Sequence, residues 1–524
     1  MRQAETTGKT GVRLWMGPAL FRSGLAVLSG VLVALSFPGF QLAPLAFVGL
    51  VPLLIALHGV SVREGICLGI IAGLVLYLMT IPWVVHTMIT YGGLPLSLSL
   101  LLLFALALYL ALYIAVFTYG VTRLSTRGSV EYLVGTAALW VGLEYLRTFL
   151  LSGFPWNLLG YTQYRNLSVI QIASITGVYG VSFLLVLVNA AMALTVLHFR
   201  PGRRRPLLPV SGVGLLLIGV ALFGKGQMVS AETRRREIRV SVVQGNIEQD
   251  VKWDPGLRER TLDIYRRLTL NGTRGSDLIV WPESAVPFFL REGGALTQQV
   301  LDLAQAVQSY LLVGSPDRVS NSGPRYYNSA FLISPEGKII QKYDKIHLVP
   351  FGEYVPLKSV LFFVHKMATG IGDFSPGQAF TVFDMPEGRF GVLICFEGIF
   401  PDQVRRYVLE GANFLVNITN DAWFGESGAP YQHLSMATLR AVENGVYLVR
   451  AANTGISALV TPTGQILKQS DLFVETVFSG TVSPGSTGTL YTRYGDWFAW
   501  VCGFISVVVL VPRRGRGRRE GRKP

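Results

Sequence analysis

The chain has 524 residues, 50% of them hydrophobic and only 15% charged, with a formal net charge of +14. A mean hydropathy of +0.43 is too apolar for an ordinary soluble protein of this length. The net charge does not imply a nucleic-acid partner, because most of the positive excess lies in short connections between apolar runs and in the C-terminal tail, where membrane topology accounts for it.

Taken in order, the apolar runs are Ala19–Phe37, Leu42–Leu57, Ile66–Val85, Leu94–Tyr119, Leu133–Leu151, Val169–Leu197, Leu208–Phe223 and Trp497–Val511. A helix of about 20 apolar residues crosses a bilayer. The expectation is therefore a polytopic α-helical membrane bundle of about eight transmembrane helices. Residues 1–225 form the N-terminal bundle, 236–486 a water-soluble domain, 495–512 a closing helix and 513–524 a basic tail. The first run has an alternative reading as a signal peptide, since Arg13 precedes it, Arg22 lies in its first turn and Ala34-Leu35-Ser36 resembles a cleavage site. Its removal would leave the later segments on the same sides.

Basic residues set the expected orientation. Arg2, Lys9 and Arg13 precede the first run, Arg63 follows the second, and Arg123 and Arg127 separate the fourth from the fifth. Arg200, Arg203, Arg204 and Arg205 follow the sixth, and the tail carries seven more between Arg513 and Lys523. Of the alternate connections, Pro38–Gln41 and Tyr91–Gly93 carry none, and the one after the fifth run carries only Arg165. Both termini are thus expected in the cytoplasm and the soluble domain outside. Arg234, Arg235 and Arg236 run against this, but they open a long domain, where the rule is weak.

Cysteine is sparse: Cys67 and Cys502 fall in apolar runs, where packing is the default role, and Cys395 lies in the soluble domain. No pair suggests a disulfide framework, so an unpaired thiol on the oxidising face calls for a reason. The soluble domain alternates strand-like runs with amphipathic stretches. The former are Ile238–Gln244, Leu278–Trp281, Tyr310–Gly314, Tyr327–Ile333, Phe380–Phe383, Gly391–Cys395, Phe414–Ile418, Tyr447–Ala451 and Ser457–Thr461. The latter are Gly256–Leu270, Ala295–Ser309, Asp402–Leu409 and Tyr431–Asn444. That alternation predicts an α/β domain of buried sheets covered by helices.

Three groups at the ends of such runs combine into one chemistry: Glu283 in Trp281-Pro282-Glu283, Lys345 in Tyr343-Asp344-Lys345, and Cys395 in Ile394-Cys395-Phe396-Glu397. Singly, each has a plainer reading, as a helix cap, a surface or ion-paired lysine, and an inert core thiol. Together a carboxylate can take the thiol proton, and an ammonium can favour the thiolate and stabilise an oxyanion, which suits acyl transfer through a thioester. A serine triad is weaker, because Ser284 lacks a nucleophile-elbow context and His433 has no obvious partner motif. The six histidines lack ligand spacing, so no metal is expected, and no cofactor either.

The order of these motifs resembles the nitrilase (carbon-nitrogen hydrolase) superfamily, whose Glu-Lys-Cys triad sits in an αββα sandwich. Gly245-Asn246-Ile247-Glu248-Gln249 with Lys252-Trp253, the run His347–Pro356 and the run Asn417–Gly425 extend the likeness. With the multispan N-terminal half and the closing span, the whole chain is similar to the membrane-embedded members of that superfamily, the apolipoprotein N-acyltransferases of the bacterial cell envelope. The likeness is weaker, though present, in Phe154–Tyr161.

The resemblance implies a ping-pong reaction in the inner membrane. A phospholipid is the acyl donor, Cys395 the nucleophile, Glu283 the base and Lys345 the oxyanion stabiliser, with a backbone N–H near Phe396. A diacylglyceryl apolipoprotein is the acceptor. It further implies that Glu353 positions Lys345 or the base, and that Glu397 orients the cysteine loop. Trp253, Trp423, Phe424, Trp156 and Tyr161 would offer surface to acyl chains, with ordinary core packing as the alternative. Phe396 departs from a tyrosine common in the family, so no phenolic hydroxyl acts there, although its ring can pack. Glu144 and Arg147, three apart on one helix face, are a structural pair or a headgroup contact. Leu361–Phe363 and Trp423–Phe424 are candidate gates. A monomer is compatible, since one domain supplies all three groups. The rivals are a membrane-tethered amidase using water as second nucleophile, and a transporter or receptor whose soluble domain only binds.

Overall fold

The computed structural model describes residues 18–198, 206–230, 237–249, 254–320, 323–354, 373–485 and 488–511. Five helices among them are long and apolar enough to cross a membrane: Pro18–Ser36, Val62–Thr80, Leu96–Leu124, Val178–Leu197 and Leu207–Val229. They are apolar on all sides, as helices need to be when some faces meet neighbours and others meet lipid. Leu101, Phe104, Leu215 and Leu222, with Phe504 near the C-terminus, point outward as an apolar surface, which marks a membrane-facing belt. Helix Val62–Thr80 lies against Leu96–Leu124 through Gly65, Gly69 and Gly73. A Cβ on Gly73 would stand 2.7 Å from the Ala111 Cα, so only bare backbone fits this seam, as in small-residue packing between membrane helices.

Several expected spans are interrupted, each where the sequence forces it. The run Leu42–Leu57 is a 3-10 turn, Ala43–Phe47, and a short helix, Val51–Ala56. The run Ile66–Val85 stops at Thr80, and Pro82 caps a separate helix, Trp83–Thr90. Before Val178–Leu197 stand two single turns, Leu167–Ile170 and Ala173–Thr176, broken at Gly177, whose φ of +67° suits glycine. Helix Trp497–Leu510 has 14 residues. Cys67 lies on an exposed helix face and not in a packed interior, a correction to the packing expected of it, whereas Cys502 is buried. The basic tail lies outside the described residues.

Helix Ser129–Phe149 carries Glu144 and Arg147, both buried. Each makes its own contacts: Glu144 accepts from the Trp140 indole at 2.9 Å and the Leu159 amide at 2.7 Å. Arg147 donates to the carbonyls of Trp156 at 3.1 Å and Asn157 at 3.3 Å. The two charges thereby staple the Phe154–Tyr161 segment onto the bundle.

Among the described residues after the helix bundle, twelve strands form two six-stranded sheets. They are β1 Ile238–Gln244, β2 Leu278–Val280, β3 Tyr310–Val319, β4 Arg325–Ile333, β5 Ile339–Asp344, β6 Val382–Met385, β7 Gly388–Ile394, β8 Phe414–Thr419, β9 Tyr447–Ala452, β10 Ala458–Val460, β11 Ile466–Gln469 and β12 Thr476–Val482. The sheet orders are β12-β1-β2-β3-β4-β5 and β11-β10-β9-β8-β7-β6. In each, the three strands β1–β3 or β7–β9 run parallel and the outer ones antiparallel.

Period-two alternation separates the faces. Leu278, Val280, Leu312 and Leu332 pack into the core shared with the second sheet, while Ile279, Leu311, Val313 and Phe331 meet helices Arg258–Gly272 and Ala295–Val307. Helices Pro401–Leu409 and Ala429–Asn444 cover the second sheet. The result is the expected αββα sandwich.

Helix Ala429–Asn444 also joins the two halves. Leu434, Ala437 and Ala441 pack towards the sheet core, whereas Met436, Leu439 and Val442 belong to the core of the bundle. Its polar side chains reach across as well: Gln432 accepts from the Trp156 indole at 2.7 Å and donates to the Thr80 carbonyl at 3.0 Å, and Glu443 accepts the Val178 amide at 2.9 Å. A joint with these buried, directional bonds fixes the catalytic candidates relative to the membrane.

Candidate active site

Glu283 follows β2, Lys345 follows β5 and Cys395 follows β7, so two residues come from one sheet and one from the other. The Lys345 Nζ lies 2.9 Å from Glu353 Oε2 and 3.7 Å from Glu283 Oε1. Asn328 on β4 bridges the same carboxylates, donating from Nδ2 to Glu283 Oε1 at 2.7 Å and Glu353 Oε1 at 2.8 Å. The Asn420 amide donates to the other Glu283 oxygen at 2.9 Å, and the Val349 amide to Glu353 Oε2 at 2.8 Å. Both carboxylates are thus locked by charge-assisted bonds that hold the ammonium between them.

Burial disfavours the Lys345 ammonium, but the charges of Glu353 and then Glu283 outweigh it and hold the group above the ordinary lysine range. It therefore stays cationic at physiological pH. For Cys395 the balance goes the other way. Burial, then the Glu283 charge, push the thiol up to about 12, against the pull of Lys345. At rest the sulfur keeps its proton, and a base is needed at the moment of attack. Cys395 has a φ of +54°, a left-handed conformation costly for a residue with a Cβ and held only by its surroundings.

Glu397 does much of that holding. Its Oε1 accepts from Tyr343 Oη at 2.7 Å, the Ile346 amide at 2.8 Å, the His347 amide at 3.1 Å and Gln403 Nε2 at 2.8 Å. Its Oε2 accepts the Ile394 amide at 2.8 Å. These donors flank Lys345 on one sheet and Cys395 on the other, so one carboxylate clamps the two sheets together where the groups meet. Burial raises its pKa, opposed by the Ile394 amide and the Lys345 charge.

A second network lies behind the cysteine. His433 Nδ1 is 3.0 Å from Asp421 Oδ1 and 3.1 Å from Arg450 Nη2, and Nε2 is 3.3 Å from the Cys395 carbonyl. Arg450 pairs with Asp421 at 2.7 Å and also donates to Asn417. His433 therefore has a carboxylate partner that no motif in the sequence announces. Its other nitrogen faces Cys395, so the dyad does not serve Ser284.

The aromatic residues divide by place. Trp156 is fully buried where the bundle meets the domain, with its ring 4.9 Å from Trp83, 5.7 Å from Phe424 and 5.8 Å from His433. Phe424 and Trp423 are half-buried, and their loop is tied to helix Trp83–Thr90 by Thr87 and Tyr91, which bond to the Trp423 and Ala422 carbonyls at 2.8 Å and 3.1 Å. Phe396 is half-buried and packs on Phe400 and His347.

Tyr161 is not brought to the site. It is buried in the joint under Arg440, with 3.0 Å between its hydroxyl and the guanidinium. Trp253 and the candidate gate Leu361–Phe363 lie outside the described residues. Sequence reasoning missed Asn328, Trp83 and the Asp421–Arg450 pair; an amide inside the apolar run Tyr327–Ile333 was the one available signal for Asn328.

Residues 239–491 match the carbon-nitrogen hydrolase family, and residues 29–191 match the N-terminal domain of apolipoprotein N-acyltransferases. A Geobacter metallireducens protein named apolipoprotein N-acyltransferase is 48% identical across 94% of this chain and 95% of its own length. One from Azotobacter vinelandii with the same name is 36% identical across 95% of this chain and 96% of its own. Among solved structures, Saccharomyces cerevisiae Nit3, of the nitrilase superfamily, is 22% identical, with a TM-score of 0.37 over 48% of this chain and 91% of that one.

Proposed function

The chain belongs to the apolipoprotein N-acyltransferase family, and we propose that it N-acylates lipoproteins by moving an acyl chain from a membrane phospholipid through a thioester on Cys395. Glu283 takes the thiol proton as the sulfur attacks the ester carbonyl. The tetrahedral intermediate collapses, expelling the lysophospholipid oxygen, which recovers the proton from Glu283. The free α-amine of a diacylglyceryl-cysteine N-terminus then attacks the thioester. Glu283 accepts the amine proton, the amide forms, and the sulfur leaves and is reprotonated. Lys345, with the Phe396 N–H, stabilises the oxyanion in both steps. The sequence is favourable because a thioester acylates an amine readily and the amide is not readily reversed.

The observation that carries this reading is the Lys345 ammonium, held 2.9 Å from Glu353 and 3.7 Å from Glu283 and close enough for its charge to favour the Cys395 thiolate against burial. The half-buried aromatic rim of Trp423 and Phe424 favours a lipid over a small soluble amide. Glu353 and Glu397 position the triad. We further assign about eight membrane crossings, cytoplasmic termini, an extracytoplasmic catalytic domain in the inner membrane, and action as a monomer, on the distribution of basic residues and because one domain supplies the triad.

The test uses purified protein in detergent with acyl-labelled phospholipid. Label is expected on the protein through a hydroxylamine-sensitive bond, absent in Cys395→Ala, and chased onto a diacylglyceryl lipopeptide amine. Folded wild-type protein that stays unlabelled would refute the lipid-donor reading and favour a tethered amidase.

A further inference from the structure

The mechanism above gives no role to the buried His433, which stands directly behind the nucleophile. Its Nε2 lies 3.3 Å from the carbonyl oxygen of Cys395, and Asn417 Nδ2 lies 3.5 Å from the same oxygen. That carbonyl and the Phe396 N–H belong to one peptide unit. A hydrogen bond donated to the oxygen polarises the unit and strengthens the N–H as a donor, because hydrogen bonds in series reinforce one another. It also fixes the plane of a peptide that follows a residue with φ +54°.

The donor has to come from the right tautomer. Burial, then the Arg450 charge, hold His433 below the ordinary histidine range, so the ring is neutral and carries one N–H. With the proton on Nδ1, the ring would satisfy Asp421 but oppose the Arg450 N–H and turn a lone pair towards the Cys395 oxygen. With the proton on Nε2, it donates to Cys395 and accepts from Arg450 at 3.1 Å. Only the Asp421 contact is then mismatched, and Asp421 keeps the Thr419 hydroxyl at 2.9 Å and Arg450 at 2.7 Å. Two of the ring's three contacts fit the Nε2–H form, and this is the tautomer taken for His433.

We propose that His433 is a positioning residue for acyl transfer, donating from Nε2 to the Cys395 carbonyl so that the Phe396 N–H is aimed and strengthened towards the oxyanion. This rests on the thioester reading. It makes a separable demand: steps that build an oxyanion depend on His433, and steps that need only the sulfur do not. Alkylation by iodoacetamide is such a step, because the thiolate displaces iodide without forming an oxyanion.

The experiment compares His433→Asn and His433→Gln. Asparagine keeps a polar group beside Asp421 and Arg450 but falls short of the Cys395 carbonyl, whereas the glutamine amide reaches the position of Nε2 and leaves Asp421 and Arg450 paired with each other. Single-turnover acylation of Cys395 by labelled phospholipid is expected to fall about ten- to a hundredfold in His433→Asn, short of the loss of a whole oxyanion donor. It should stay within about threefold of wild type in His433→Gln. Iodoacetamide alkylation of Cys395 should match wild type in both. Acylation unchanged in His433→Asn, or acylation and alkylation falling together, overturns the proposal. If His433→Asn does not fold, a His433→Gln protein slowed tenfold or more overturns it alone. Unlabelled wild-type protein sinks the thioester reading and this inference with it, whereas labelled wild type with an unaffected His433→Asn sinks only this inference.

Discussion

The interior of the site and its rim are built in opposite ways. Inside, Glu283, Glu353 and Glu397 are buried, and their oxygens accept from backbone amides, Asn328, Gln403, Tyr343 and Lys345. At the rim, Trp83 meets Phe424 and Tyr91 meets Trp423 through ring edges, and all four are only half-buried. A group that must hold a charge to a fraction of an ångström needs directional bonds on every side. A surface that takes in chains of varying length needs apolar area without fixed partners. The interior should therefore govern the rate of chemistry and the rim the affinity for lipid.

The sharpest way to break that division is Lys345→Met. It leaves Glu283 and Glu353 facing each other without their cation, and the loss of one partner of a buried ion pair costs about 3–5 kcal/mol. Acyl-enzyme formation is expected to fall by about 10³-fold or more, since the oxyanion stabiliser goes too. Rapid-quench labelling measures the rate, and denaturant titration in detergent measures the stability. A variant with normal acylation but a raised KM would contradict the assignment of Lys345 to chemistry.

Glu397→Gln is the next test. It keeps the shape but turns an amide NH2 towards donors, whichever way it lies. With its oxygen taking the four donors now on Oε1, its nitrogen faces the Ile394 N–H. One opposed buried donor costs about 1–3 kcal/mol, and the clamp between the sheets loosens. Acylation is expected to slow about tenfold with phospholipid KM unchanged, consistent with a bond worth about 1.4 kcal/mol per factor of ten. A KM change with no loss of rate would place Glu397 at the rim.

The pH dependence of the thiol sharpens the interior's electrostatics. With the Cys395 thiol pushed up to about 12, the thiolate fraction grows about tenfold per pH unit below that value. Iodoacetamide alkylation should therefore keep climbing between about pH 7 and pH 10 instead of levelling near the ordinary cysteine value. A plateau near pH 8 would mean that Lys345 outweighs burial and Glu283, so that the enzyme rests as an ion pair.

The same contrast explains what could be read from the chain. Glu283, Lys345 and Cys395 were legible because each ends an apolar run or stands in a recognisable motif, and Ile238–Gln244 and Phe414–Ile418 were legible because both faces of a central strand are buried. Strands β5, β11 and β12 were not, because their residues are mostly half-exposed, or exposed in β11, and their pattern is that of sheet edges. The eight runs were legible as apolar, but their breaks depend on Pro82, Gly177 and close approaches such as Gly49 against Val33, which hydropathy does not register. His433 and Asp421 are twelve positions apart across a loop and a helix, and no local pattern announces that pairing. Trp156 and Tyr161 share one motif, yet the fold sends one towards the site and the other beneath Arg440.

Phe424→Ala gives the smallest expected effect. The ring packs 4.8 Å from Trp83 and 5.7 Å from Trp156 but is half-exposed. Its removal costs part of the roughly 25 cal/mol per Å² that apolar burial supplies, and leaves the locked carboxylates untouched. Phospholipid KM should rise several-fold, about 1 kcal/mol of lipid affinity, with acylation at saturation within about twofold of wild type. Trp156 is the wrong residue for this test, because its indole holds Gln432 in the joint at 2.7 Å and its loss would disturb the fold as well as the rim. If Phe424→Ala instead lowered the saturated rate and left KM alone, the ring would be shaping the His433 network 6.2 Å away, and the line between interior and rim would have to be redrawn to include it.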